Sequence, residues 1–207
     1  MEKFTKLRSV AAPLMLRDVD TDVIIPMRRL IGGGGDLSRF AFEPLRYGSE
    51  GADGPENPDF VLNRPEYRDA AILLAGPNFG CGSSREPAVW VIKGMGYRCI
   101  IAPSFGDIFY KNCFQNAVLP IVLPIEEVQR LADEAQPPGG IFEVDLERCE
   151  LETPAARRVP FEIHPARREA LLEGLDDLAL TRKREPEISA FQAADRERRP
   201  WIYQPGA

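Results

Sequence analysis

A single mixed α/β domain is what the sequence predicts, and three observations predict it. Aliphatic runs of strand length at 70–75, 98–102 and 119–123 are separated by stretches with helical spacing, giving a strand–helix–strand–helix–strand unit. Shorter segments that alternate as strands lie C-terminal to that unit. The chain has 207 residues, 44% hydrophobic and 28% charged, which is the size and balance of one ordinary globular domain. A chain of this length buries roughly 70% of its unfolded surface and needs no disulfide staple.

Each element has its own signal. Residues 23–26 follow Asp20, Thr21 and Asp22 and read as a short buried strand stopped by Pro26. Gly32, Gly33, Gly34 and Gly35 are too permissive to sit inside an element. Residues 47–58 are dense in Gly, Pro, Asp, Asn and Glu, an exposed excursion. The 70–75 run is continuous, as in a strand covered on both faces. A glycine-rich turn over 76–82 then leads to a helix through Trp90 and Met95. Ser104 is placed to cap a helix over 105–116 that carries Phe105, Ile108, Phe109 and Cys113 on one face. Val128, Leu131 and Ala132 mark an amphipathic helix over 125–135. Residues 141–146 alternate as a strand, with 159–163 as its hairpin partner. Pro165 opens a helix over 165–175 with Gly174 near its end. From Arg182 onward, charges of both signs describe a solvated helical tail.

Composition narrows the function. A net charge of −6 argues against duplex nucleic acid as a partner, because phosphate binding needs clustered positive charge. The four cysteines, Cys81, Cys99, Cys113 and Cys149, form no CxxC, and His164 is the one histidine, so zinc-ribbon and thioredoxin readings fail. An iron–sulfur cluster needs several close thiolates, which this chain alone does not present. The apolar stretch over 10–16 is broken by Pro13 and followed by Arg17 and Asp18, a poor signal sequence. The longest apolar run falls far short of a membrane span. Free cysteines without an export signal lead us to expect a cytoplasmic protein.

The chemistry-bearing segment is Asn78-Phe79-Gly80-Cys81-Gly82-Ser83-Ser84-Arg85-Glu86. Its glycines let backbone N–H groups approach a ligand, and a helix start leaves amides unsatisfied with partial positive charge. Two hydroxyls and a guanidinium add donors suited to a carboxylate. A plain capping box, with Ser83 or Ser84 as N-cap and Glu86 closing it, accounts for the same residues without a ligand. A dinucleotide fingerprint fails because Arg85 stands where a third glycine is needed. A nucleophile elbow would need glycine at Glu86, and a phosphate loop needs a lysine that is absent.

Three segments together are more specific than the turn alone. The first is the turn itself, the second Asp20-Thr21-Asp22-Val23-Ile24-Ile25-Pro26, and the third Ser104-Phe105-Gly106-Asp107-Ile108-Phe109-Tyr110-Lys111-Asn112-Cys113-Phe114. With Asn57 to Asn63 and Gly174-Leu175-Asp176-Asp177 they run in order along nearly the whole chain. This pattern resembles the 3-isopropylmalate dehydratase small subunits, the detached swivelling domain of the aconitase family. The resemblance implies one β/β/α swivel domain over 1–207, with a mobile substrate-recognising loop at about 28–38 and a helical tail at about 182–207. It implies a hydro-lyase of leucine biosynthesis that interconverts 2- and 3-isopropylmalate. A large partner subunit would hold a [4Fe-4S] cluster, with none on this chain. Ser83 would be the base that removes a proton beside a carboxylate, Arg85 and Ser84 would bind substrate, and Asp22 would support the site's charges.

Two departures from the family pattern stand out. Pro87 replaces the family histidine; since proline lacks an N–H and disfavours helix before it, a helix beginning at Pro87 is expected. The recognition loop is four glycines and Asp36, preceded by Arg28 and Arg29, which read as solvated surface cations. Cys81, Cys99 and Cys113 read as packing, His164 as the residue that opens a helix, and Trp90 and Trp201 as core or interface. Two other readings stay open: a paralogous small subunit for another hydroxy-diacid of the 2-methylmalate or homocitrate type, and a non-catalytic partner-binding domain.

Overall fold

The computed structural model describes residues 1–31, 35–48, 51–137 and 140–203. In chain order the elements are β1 (Lys6–Ser9), β2 (Ala11–Leu14), α1 (Thr21–Ile24), α2 (Met27–Leu30), α3 (Glu43–Arg46) and β3 (Ile72–Ala75). Next come α4 (Glu86–Gly94), β4 (Cys99–Ala102), α5 (Asp107–Gln115), β5 (Leu119–Val122), α6 (Ile125–Glu134) and β6 (Phe142–Asp145). The C-terminal part holds β7 (Glu150–Glu152), β8 (Arg158–Pro160), α7 (Pro165–Glu173), α8 (Asp177–Arg182) and α9 (Glu185–Arg198).

The predicted unit over 70–123 is present as β3-α4-β4-α5-β5, with the strands parallel and β2 added at the edge, in the order β2-β3-β4-β5. Strict alternation splits these strands between two cores. Ile72, Leu74, Cys99, Ile101, Leu119 and Ile121 face one core. Leu73, Ala75, Ile100 and Ala102 face the other, against α4 and α5. Burial on both faces is why the runs are aliphatic throughout. The first core is closed on its far side by a separate antiparallel sheet, β1-β6-β7-β8, and by α6 and α7. One residue, Val10, separates β1 from β2, so a single extended segment serves both sheets.

The structure corrects four expectations. Residues 23–26 are not a strand: the Asp20 carboxylate accepts the Asp22 and Val23 N–H groups at 2.8 Å each, and that cap winds the one-turn helix α1. The partner of β6 is β7, with β8 on its outer side. The three-residue β7 is too short to carry a readable alternation. Ser104 does not cap α5, which starts at Asp107 behind Gly106, and Ile108 points outward. The 47–58 excursion is tied down, since Tyr47 bridges Glu56 and Asn63 donates to the Arg46 and Asn57 carbonyls at 2.7 and 2.8 Å. Gly32, Gly33 and Gly34 of the expected mobile loop lie outside the described residues. Among the described residues no helix is long and apolar enough to cross a membrane.

Candidate active site

The site forms where the parallel strands run out. Past the ends of β2, β3 and β4 the three chains stay side by side: Asp20 bridges Cys81, and Phe79 bridges Phe105. Backbone bonds stitch them together, with Gly80 N–H to the Val19 carbonyl at 2.8 Å and Gly106 N–H to the Phe79 carbonyl at 2.9 Å. The three motifs that run in order along the sequence are thus adjacent in space, at the carboxyl edge where open parallel sheets bind ligands. Ser104 takes a different role from the expected one, its hydroxyl accepting the Asn78 N–H at 2.8 Å.

The glycines of the turn are demanded by its shape. Gly80 and Gly82 sit at φ +71° and +89°, where a side chain is strained. A Cβ at Gly80 would also lie 2.2 Å from the Phe109 ring, so α5 sits directly beneath the turn.

Ser83 and Ser84 are exposed, and among the described residues neither hydroxyl makes a hydrogen bond. The capping box is absent. Arg85 is the N-cap of α4 without a side-chain cap, and the Glu86 carboxylate accepts from Asn116 at 3.2 Å instead. The helix begins at Glu86, one residue before the expected Pro87, which occupies its first turn. Pro87 offers no N–H, and the Ala88 N–H turns back to the Arg85 carbonyl at 3.1 Å. The first-turn donor left for a ligand is therefore the Glu86 amide.

Arg85 is buried, and its guanidinium forms a two-pronged pair with Asp22: Nη1 to Oδ1 at 2.5 Å and Nη2 to Oδ2 at 2.8 Å. Its Nε is buried with no partner among the described residues. Hydrogen bonding from Arg85 holds the Asp22 carboxyl below the usual carboxylate range. Asp22 also accepts the Met27 N–H at 3.2 Å. Of the predicted site residues, Ser83, Ser84 and Arg85 share one turn, and Asp22 is brought to them across the chain. Thr21, which the sequence reading passed over, is fully buried and donates its hydroxyl to the Ser83 carbonyl at 3.2 Å. Its place between the two aspartates of the motif was the available signal.

Arg28 and Arg29 are not free surface cations. Both pair with the buried Glu43, Arg28 at 3.0 Å and Arg29 at 2.5 Å. Arg29 above all, helped by the Ala52 N–H and Arg28, holds the Glu43 carboxyl down at about 2. His164 caps α7 as expected, its Nδ1 accepting the Ala166 N–H at 3.3 Å. Cys99 and Cys113 are buried in the cores, and burial pushes the Cys81 thiol up, away from thiolate character. Trp90 and Trp201 are exposed, which removes a core role for either. Among the described residues no trio of His, Cys, Asp or Glu side chains is placed to hold a metal ion.

The chain is similar to known proteins over almost its whole length. Residues 1–126 match the family model of the aconitase C-terminal domain. A 3-isopropylmalate dehydratase small subunit from Paramagnetospirillum magneticum is 51% identical over 205 residues, covering 98% of this chain and all of the relative. One from Cupriavidus necator is 51% identical over 211 residues, covering both chains fully. A crystal structure of 3-isopropylmalate dehydratase from Methanocaldococcus jannaschii superposes with a TM-score of 0.64 at 27% identity, covering 89% of this chain and 98% of that one.

Proposed function

This chain belongs to the aconitase C-terminal domain family as a 3-isopropylmalate dehydratase small subunit, and from that premise we propose how its turn takes part in the reaction. The enzyme is a hydro-lyase of leucine biosynthesis. The whole chain acts in the cytoplasm as one swivelling unit that closes over substrate held by a large subunit. That partner carries the [4Fe-4S] cluster, which supplies Lewis-acid chemistry for the departing hydroxyl.

Within this chain Ser83 is the base. As its alkoxide it takes the proton from the carbon beside a substrate carboxylate and becomes the hydroxyl; that C–H bond breaks, the carbon–carbon double bond forms, and the neighbouring C–O bond breaks with its electron pair leaving on hydroxide. Water returning across the alkene in the opposite sense gives the isomer, with no net gain or loss of water. A serine hydroxyl is a weak base unless its anion is stabilised. The free Ser83 hydroxyl has the buried Arg85 charge two residues away and the Glu86 amide at the start of α4. Arg85 binds a substrate carboxylate. Because Asp22 occupies both prongs of that guanidinium, its role is to hold the arginine in place and yield to substrate. Ser84 and the Glu86 amide complete the cradle.

The observation that carries this reading is a pair of unengaged hydroxyls beside a buried arginine, at the carboxyl edge of the parallel strands. The test is co-purification with the large subunit followed by an assay for 3-isopropylmalate formed from 2-isopropylmalate. Turnover of a different hydroxy-diacid alone would move the substrate assignment to a paralogue, and a stable complex with no turnover would overturn catalysis.

A further inference from the structure

A cavity of about 290 Å³ lies away from the Ser83 turn, at the other end of α4. Ser83, Ser84 and Arg85 precede the first residue of that helix, whereas the cavity is lined by Gly94, its last residue, and by Met95 and Tyr97 beyond it. Nine helical residues place roughly 13 Å between the two ends. Three guanidinium groups line the cavity, those of Arg39, Arg46 and Arg68, against one carboxylate, that of Asp36.

Each guanidinium has a carboxylate partner, and two of them share one. Arg46 and Arg68 share a single counterion, Glu56, each taking one of its oxygens at 3.2 and 2.6 Å. Asp36 spends an oxygen on the Ser38 N–H at 2.9 Å, as the cap of a short turn. Arg39 reaches outward to Asp53 at 2.8 Å. Tyr97 is only 2% exposed, yet among the described residues its hydroxyl makes no hydrogen bond. Burial pushes the Tyr97 phenol up, so it remains a neutral donor. A phenolic O–H that lines the cavity without a protein partner is left to donate to a ligand.

We propose that this cavity is a second anion site, one that takes a small carboxylate or phosphate compound between Arg46, Arg68 and the Tyr97 hydroxyl. Guanidinium forks and a phenolic O–H suit the oxygens of either group. Leu62 and Met95 give the site an apolar wall against which a short carbon skeleton packs. The site is separate from the cradle, although Asp36 and Ser38 on its wall belong to the segment expected to recognise substrate.

The experiment uses the full chain with 13C-labelled methionine methyls, titrated with inorganic phosphate in one arm and malate in the other, at constant ionic strength. Met95 lines the cavity, and Met27, whose amide bonds Asp22, reports separately on the cradle. A saturable Met95 shift is expected with at least one anion, and the arm that produces it names the chemistry. Tyr97→Phe and Arg68→Gln should each raise the apparent Kd by about five- to tenfold. Tyr97→Phe removes an unbonded hydroxyl only, so its Tm should match the parent and loss of binding will not reflect misfolding. A Met95 methyl that stays still in both arms, or a shift that both variants leave unchanged, overturns the proposal.

Discussion

Two arginine–carboxylate clusters are built in opposite ways. In the Asp22–Arg85 pair the cation is buried and the anion faces water, with side-chain exposures of 9% and 58%. In the cluster of Glu43 with Arg28 and Arg29 the anion is buried at 1%, while the arginines are 65% and 29% exposed. A buried cation with a replaceable counterion is a binding device, because an incoming carboxylate can take the counterion's place. A buried anion clamped by outer cations is an anchor, because nothing from solvent reaches it. The first lies at the turn proposed to hold substrate, and the second fixes the base of the segment leading into the glycine run.

The largest expected effect concerns the cradle. Ser83→Ala should lower turnover by about 10²- to 10⁴-fold, the range for loss of a positioned base, while the variant still co-purifies with the large subunit. A near-normal rate would remove Ser83 as the base. Next comes the anchor. Glu43→Gln should cost about 3 kcal/mol, the size of the gap between 4.5 and about 2 in its carboxyl pKa. For a chain of this length that is roughly 6–12 °C in Tm, with kcat within about twofold of the parent.

The same gap sets a pH dependence. Glu43 has a folded pKa below its ordinary value, so its stabilisation is complete above about pH 4.5 and is lost as the pH falls toward 2. Urea midpoints measured from pH 5 down to pH 3 should fall in the parent and fall less in Glu43→Gln. Parallel slopes would show that the anchor is not charged as described.

Asp22→Asn sharpens the contrast from the other side. It should lower kcat/KM by about 10- to 100-fold while costing only about 1 kcal/mol, since its carboxylate is half in water and Asn keeps an oxygen for Arg85. If it instead destabilises the fold as much as Glu43→Gln and spares turnover, the two clusters are not different in kind. The smallest effect is expected for Thr21→Val, which loses the tether to the Ser83 carbonyl. It should cost about 1 kcal/mol in urea melts and reduce kcat several-fold with KM unchanged.

The sequence was most legible where one pattern decided the outcome. The β3-α4-β4-α5-β5 unit shows through because strands covered on both faces must be aliphatic throughout, as in Ile72–Ala75 and Cys99–Ala102. Residues 23–26 misled because the apolar run Val23-Ile24-Ile25 suits a strand, while the winding is decided outside it by the Asp20 cap. The turn from Asn78 to Glu86 was readable as a glycine-bent turn leading into a helix from its residue types. That Asp22 would occupy Arg85 was not, because the pair joins positions 63 residues apart. Arg28 and Arg29 looked solvated for the same reason, their partner Glu43 being visible only once α3 folds beneath them.

The Phe109 ring pressed under Gly80 has a consequence for how this pocket can change over generations. Helix α5 acts as an anvil: any bulkier residue at position 80 must push aside the Phe109 ring, which already packs edge-on against Phe79 and stacks with Phe105. The backbone of the turn is thereby held to one course by the helix packed beneath it. New substrate preferences must come from the rim, where side chains can be exchanged without moving the floor.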